Sequence, residues 1–115
     1  MSPREIRQWL VDILATMEET ISFTDGMSKA EFFENRSSVK VVMMNFIIIG
    51  EAAGSIPEEL QEKHPEVPWQ EMKRMRNKVV HVYFGVNRDI LWKTARHDLP
   101  PLVPQLRAIL NDLEK

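Results

Sequence analysis

Apolar residues recur at three- and four-residue steps along most of the chain, which is the spacing of amphipathic α-helices. The first series begins at Ile6 and extends to about Phe23, behind a Ser2-Pro3 pair that is typical of a helix start. No stretch alternates between apolar and polar residues as a half-buried strand does. The pattern therefore predicts an all-α fold, an up-and-down bundle of four long helices with one or two short ones. Long helices are predicted over residues 2–23, 37–53, 68–85 and 87–115, the last broken by prolines, and short ones near 28–34 and 58–63.

The second long helix differs from the others, because Val39 to Ile49 are apolar almost all round. Such a helix is expected at the centre of the bundle, buried on most sides. Two glycines near its end, Gly50 and Gly54, would let another helix approach closely. The polar exceptions, Asn45 and Glu51, are expected at a helix edge or bonded to a neighbouring backbone.

Size and composition limit the kinds of protein this chain can be. Its 115 residues suit one domain, residues 1–115. The absence of cysteine excludes disulfides, thiolate metal sites and cysteine nucleophiles. No basic segment followed by an apolar run opens the chain, and the apolar run from Val41 to Ile49 is far shorter than the roughly 20 residues that cross a bilayer. We expect a soluble, cytoplasmic protein with no membrane partner and no cofactor.

Charge is distributed unevenly along the chain. The net charge is −2, yet residues 70–97 carry seven basic and two acidic side chains, and the remainder carries eight basic and fifteen acidic ones. A basic segment within an acidic chain is typical of a phosphate-binding surface. An ordinary solvated helix face has the same composition, so charge alone leaves both interpretations open.

The basic segment contains an arginine, an amide, a histidine and a phenol at helical spacing: Arg76, Asn77, His81 and Tyr83. Arginine can clamp a phosphate with two hydrogen bonds, and histidine can transfer a proton near neutral pH. Together they suit cleavage of RNA, whose 2'-hydroxyl is an internal nucleophile. On an ideal helix Arg76 and His81 lie about 140° apart, so convergence requires a distorted helix end or a second copy of the chain. A surface arginine and a structural histidine remain the simpler alternative for the spacing by itself.

This arrangement resembles the signature of HEPN-domain ribonucleases, and most closely that of the HepT-like toxins, which add a tyrosine two residues after the histidine. Further stretches resemble HepT-like chains in the same order. They are Ile47-Ile48-Ile49-Gly50-Glu51-Ala52-Ala53, Val67-Pro68-Trp69 and Asp98-Leu99-Pro100. The resemblance covers nearly the whole chain, which makes it more specific than the arginine–histidine spacing.

The resemblance implies a homodimer in which two signature helices meet and both arginine–histidine sets face one cleft. It implies metal-independent endonucleolytic cleavage of RNA that leaves a 2',3'-cyclic phosphate. His81 would act as general acid and base, Arg76 would bind the scissile phosphate, and Asn77 would orient one of them. Three further cations are expected to steer the RNA backbone: Lys73, Arg74 and Lys78.

Tyr83 has a separate implied role. In HepT-like toxins the tyrosine of this motif receives AMP from a cognate nucleotidyltransferase antitoxin of the MntA type. An adenylyl group at Tyr83 would add negative charge and bulk beside the site and so silence it. A structural tyrosine that packs its ring is the alternative.

Two other functions fit a helical bundle of this size. One is a non-catalytic subunit that holds substrate or nucleotide for a partner nucleotidyltransferase, and the other is a plain dimerisation bundle. Neither requires Arg76 and His81 within a basic segment, which favours the ribonuclease.

Overall fold

The computed structural model describes all 115 residues, and it contains helices and turns but no strand. Four long helices account for most of the chain, so the predicted all-α bundle is confirmed. The short helices are more numerous than expected, because the last predicted helix is divided in two. In chain order the elements are α1 Pro3–Asp25, α2 Lys29–Glu34, α3 Arg36–Ser55, α4 Glu58–Lys63, α5 Trp69–His81, a 3-10 turn Tyr83–Gly85, α6 Arg88–Lys93, a π-helical turn Thr94–Asp98, and α7 Leu102–Leu113.

Helix α3 is the centre of the bundle, as its sequence predicts. It packs mainly against α5 and α1, and α7 packs against α1. By length and composition α3 could cross a membrane, but 56% of its apolar window is buried inside the protein. It is therefore the core helix of the bundle. The largest fully buried side chains come from several elements and include Leu10, Ile13, Met17, Phe32, Val42, Val79, Leu91, Leu106 and Ile109.

Polar side chains define where several helices begin. Ser2 caps α1, and Ser28 forms a reciprocal capping box with Glu31 at the start of α2, as expected from their spacing. Hydrogen bonds from the backbone N–H and side chain of Ser28 lower the pKa of the Glu31 carboxyl from its ordinary value. Asn35 caps α3 by accepting from the N–H of Ser38. These caps set the position of α3 relative to the preceding turn.

The last predicted helix is divided by a change of helical type. The N–H of Leu99 donates to the carbonyl of Thr94 at 2.9 Å, a five-residue step that widens the helix into a π turn. Pro100 and Pro101 lack N–H donors and end the turn. Pro104 is tolerated in the first turn of α7, where backbone N–H groups have no partner within the helix.

Asn45 departs from its expected place. It is buried, and its amide donates to the Thr20 hydroxyl of α1 at 3.0 Å, while that hydroxyl donates to the Thr16 carbonyl at 2.7 Å. Asn45 is therefore a structural link between α1 and α3, bonded to a side chain rather than to a backbone. Because the buried side-chain amide of Asn45 has a hydrogen-bond partner, it avoids the usual free-energy cost of a polar group in a core.

Candidate functional site

Helix α5 ends at His81, within the arginine–histidine signature itself. The N–H of Val82 still donates to the Lys78 carbonyl at 2.9 Å, but Val82 leaves the helical region with φ −127° and ψ 41°. Tyr83 then begins the 3-10 turn. Valines near this end lower helix propensity because their branched side chains crowd the preceding turn. The helix was expected to continue to Gly85, and it ends four residues earlier, so Tyr83 lies just beyond the α-helix.

Gly50 lets α5 approach α3 at the arginine. A Cβ atom added to Gly50 would lie 2.2 Å from the Cβ of Arg76 and 2.8 Å from the carbonyl oxygen of Met72. No side chain fits there without moving α5. Gly54, one turn later, is less crowded, because its added Cβ would lie 3.6 Å from the Lys73 side chain. The expected close approach of two helices is therefore made at Gly50.

The guanidinium of Arg76 is held by two acceptors. Its Nη2 lies 2.5 Å from Oε1 of Glu51, and its Nη1 donates to Oδ1 of Asn77 at 2.9 Å. Its Nε is buried and makes no hydrogen bond. Glu51 is thus part of the site, a role that sequence reasoning did not assign. The sequence carried no signal for this contact, because it depends on which residues of α3 and α5 face each other.

A polar groove runs between α3 and α5 beside this arginine. Its volume is about 330 Å³, and no hydrophobic residue lines it. Hydroxyl, amide and cationic groups with exposed backbone beside glycine are suited to a sugar–phosphate chain. The polar groove is lined by Gly50, Glu51, Gly54, Ser55, Lys73, Arg76 and Asn77.

The three expected phosphate-binding cations do not lie together. Lys73 lines the polar groove with Arg76. Arg74 instead forms an ion pair with Glu71, one turn earlier on α5. Lys78 is exposed and forms no ion pair. Only Lys73 joins Arg76 within a single protomer.

His81 and Arg76 do not meet in one protomer. His81 is exposed and its side chain makes no hydrogen bond, while the Asn77 side chain bonds to Arg76 rather than to His81. Tyr83 is 41% exposed, and its ring meets that of Phe84 edge-on with centroids 5.1 Å apart. No hydrogen bond or ion pair joins Arg76 to His81 within one protomer, in keeping with the offset of about 140° expected on one helix.

Exposed apolar side chains occur on α3, at the end of α5 and in the turn after it. Phe84 is 95% exposed and Met44 is 56% exposed. Helices α3 and α5 run antiparallel with Gly50 against Arg76, which places the middle of α3 beside the end of α5. Large apolar groups that form one exposed patch are typical of a surface that another protein chain covers. We call this surface the apolar seam; it comprises Met44, Ile48, Val80 and Phe84.

Comparison with known proteins gives a consistent family assignment. The family model described as "Ribonuclease HepT-like" matches residues 13–109. Among similar proteins, "Putative RNase MJ0125" of Methanocaldococcus jannaschii is 37% identical, over 100% of this chain and 99% of its own. "Probable ribonuclease HepT" of Thermococcus cleftensis is 39% identical, over 86% of this chain and 90% of its own. No solved structure matches the chain significantly. The helical fold, the signature at the end of α5 and these matches together place the chain in the HepT-like ribonuclease family.

Proposed function

We propose that this protein is an endoribonuclease, the toxin of a toxin–antitoxin pair, whose Arg76 and His81 act together across a homodimer. The observation that carries the proposal is the guanidinium of Arg76 in a polar groove, with an exposed imidazole at the end of the same helix. Membership of the HepT-like ribonuclease family supports RNA as substrate. RNA and the proposed nucleotidyltransferase partner both belong to the cytoplasm, so we propose that location as well.

The proposed chemistry uses only groups of the protein and the RNA. His81 removes the proton of a 2'-hydroxyl, and that oxygen attacks the adjacent phosphorus. The bond to the 5'-oxygen breaks, and the imidazolium returns its proton to that oxygen. Arg76 stabilises the negative charge that grows on the phosphate. The products are a 2',3'-cyclic phosphate and a 5'-hydroxyl, with no protein nucleophile and no metal required.

The homodimer is proposed because it would bring together the Arg76 guanidinium and the His81 imidazole, which form no pair within one protomer. The apolar seam borders the end of α5, so pairing two seams about a twofold axis brings two α5 ends together. A guanidinium from one protomer and an imidazole from its partner would then face the same phosphate. Glu51 and Asn77 would keep the guanidinium oriented toward the groove between the subunits.

Cleavage of RNA in the presence of EDTA tests the enzyme assignment. Arg76→Ala and His81→Ala should each lose at least about a hundredfold in rate, the usual share of a charge-stabilising or proton-transferring group. Lys63→Ala, an exposed cation outside the site, is the matched control and should cleave normally. Folded Arg76→Ala and His81→Ala proteins that cleave as fast as wild type would refute the enzyme and favour a non-catalytic nucleotide-binding subunit.

Mixing the Arg76→Ala and His81→Ala variants tests whether two protomers contribute residues to one site. After subunit exchange, a mixed dimer carries one intact pair, Arg76 of one protomer and His81 of the other. Random exchange should therefore restore roughly a quarter of the sites. No recovery, with exchange verified by differently tagged subunits, would show that each site is built within one protomer.

We further propose that a MntA-like nucleotidyltransferase antitoxin silences the enzyme at Tyr83. The phenol oxygen would attack the α-phosphate of ATP, forming a phosphodiester to AMP and releasing pyrophosphate. The half-exposed Tyr83 side chain supports access to such a partner. Mass spectrometry after incubation with partner and ATP should find AMP on wild type and none on Tyr83→Phe. An adduct that survives Tyr83→Phe would remove this role.

A further inference from the structure

A second cleft, separate from the polar groove, surrounds Tyr83. It has a volume of about 300 Å³ and lies between the start of α3 and the segment from Tyr83 to α6. Three of its residues are cations, although the protein as a whole is acidic. We call it the cationic cleft; it is lined by Arg36, Val39, Lys40, Met43, Tyr83, Phe84, Val86 and Arg88.

The three cations of the cleft have no acidic partner. None of the eight ion pairs in the protein includes Arg36, Lys40 or Arg88. Arg88 donates one hydrogen bond to the carbonyl of Phe33, and a carbonyl does not cancel its charge. Arg36 is also the first residue of the 20-residue helix α3, where the helix dipole is positive. Like charges gathered without a counter-charge repel one another, and a bound anion relieves that repulsion.

The aromatic rings define which kind of anion fits. Tyr83 lines the same cleft and is partly exposed, with Phe84 against it edge-on. A ring beside cations suits a base stacked on the ring and a phosphate on the cations, which is how single-stranded nucleic acids are held. A carboxylate ligand would use the cations and leave the ring without a role.

We propose that the cationic cleft is an RNA subsite. Arg36, Lys40 and Arg88 hold a backbone phosphate next to the scissile one, and Tyr83 stacks against the neighbouring base. The proposal rests on the proposed ribonuclease function and extends it, because His81 is only two residues from Tyr83, which lines this cleft. It also gives a physical reason for silencing through Tyr83. An adenylyl phosphate attached there would occupy the same cations and exclude the RNA strand.

Binding to a non-cleavable strand tests the subsite separately from catalysis. The probe is a fluorescently labelled single-stranded RNA, titrated with His81→Ala protein at several salt concentrations. The double variant Arg36→Gln/Lys40→Gln is compared with Arg4→Gln/Lys63→Gln, which removes two exposed, unpaired cations elsewhere. We expect the cleft variant to bind about three- to tenfold more weakly, with a salt dependence shallower by about one to two phosphate contacts. The control variant Arg4→Gln/Lys63→Gln should bind RNA with nearly the affinity and salt dependence of the parent His81→Ala protein.

Arg88 is left intact in this comparison, since its bond to Phe33 also serves the fold, and thermal unfolding verifies both double variants. Tyr83→Phe should keep most of the affinity and Tyr83→Ala should lose it, because stacking needs the ring and not the hydroxyl. Equal binding by the cleft and control variants would overturn the subsite while leaving the ribonuclease in place, provided that wild type still cleaves. No binding of RNA by the parent protein would overturn both.

Discussion

At the scale of single residues, Glu51 on α3 orients the guanidinium of Arg76 on α5. Arg76 and His81 could be proposed from the sequence because their surroundings resemble the HepT-like signature over nearly the whole chain. The contact of Arg76 with Glu51 could not, because it depends on the register of two helices 25 positions apart in the chain. The same limit hid the partner of Asn45, which is a threonine on α1. Residue types suggest which chemistry a chain can perform, but only the packing of the helices shows which side chains contact one another.

Glu51 gives a prediction at this scale. Its carboxylate orients the Arg76 guanidinium and also places a negative charge beside the polar groove. We expect Glu51→Ala to lower kcat about tenfold, since the guanidinium loses its fixed direction, while KM for RNA stays constant or falls. Glu51→Gln keeps a hydrogen-bonding oxygen, so its kcat should lie between those of wild type and Glu51→Ala. Stability should change by less than about 1 kcal/mol, because the carboxylate is largely exposed.

Steady-state cleavage, with RNA concentration varied, separates those two constants. Glu59→Ala, an exposed carboxylate on α4, controls for the loss of one negative charge. A Glu51→Ala protein with raised KM and unaltered kcat would contradict an orienting role.

At the scale of helices, the apolar spacing located the long elements and their order, and it placed α3 at the centre. Helix ends were predicted where side-chain chemistry marks them, as at Ser28 and Glu31. Helix ends were not predicted where the backbone changes its helical type without a capping residue at that position. The π turn at Thr94–Asp98 divides a continuous apolar series, and α5 ends at His81, four residues before Gly85, its expected stop. Such changes follow from how the chain packs against α1 and α3.

The two glycines of α3 give a matched pair of substitutions at this scale. An alanine at residue 50 would press its methyl group against the backbone and side chain of α5, so Gly50→Ala should destabilise by about 1–3 kcal/mol. An alanine at residue 54 makes ordinary contact with a flexible lysine, and Gly54→Ala should be neutral or stabilise by up to about 1 kcal/mol. Urea unfolding measures both, and cleavage should fall only in Gly50→Ala, since Arg76 moves with α5. Equal stability of the two variants would disprove the close approach at Gly50.

At the scale of the whole molecule, the sequence did not locate the surfaces that a second chain covers. Periodicity marks residues that face inward, and it predicted α3 to be buried almost all round. Met44 and Ile48 are instead exposed, as are Val80 at the end of α5 and Phe84 in the turn after it. An apolar residue on the surface has the same sequence signal as one in the core. The prediction of a buried helix is therefore met within one protomer on most faces, and on the remaining face only if another protomer packs there.

Charging the apolar seam tests whether it joins two protomers. Met44→Lys should yield a folded monomer, because a half-exposed methionine contributes little to the core and two lysines would oppose each other across a twofold axis. Ile90→Lys, which charges an exposed apolar residue on α6, is the control and should leave the oligomer unchanged. Analytical ultracentrifugation reports the mass, and the cleavage assay should show that the Met44→Lys monomer is inactive even though Arg76, His81 and Glu51 are untouched. A monomer as active as wild type would show that one chain suffices, and the separation of Arg76 from His81 would then rule out their joint action on one phosphate.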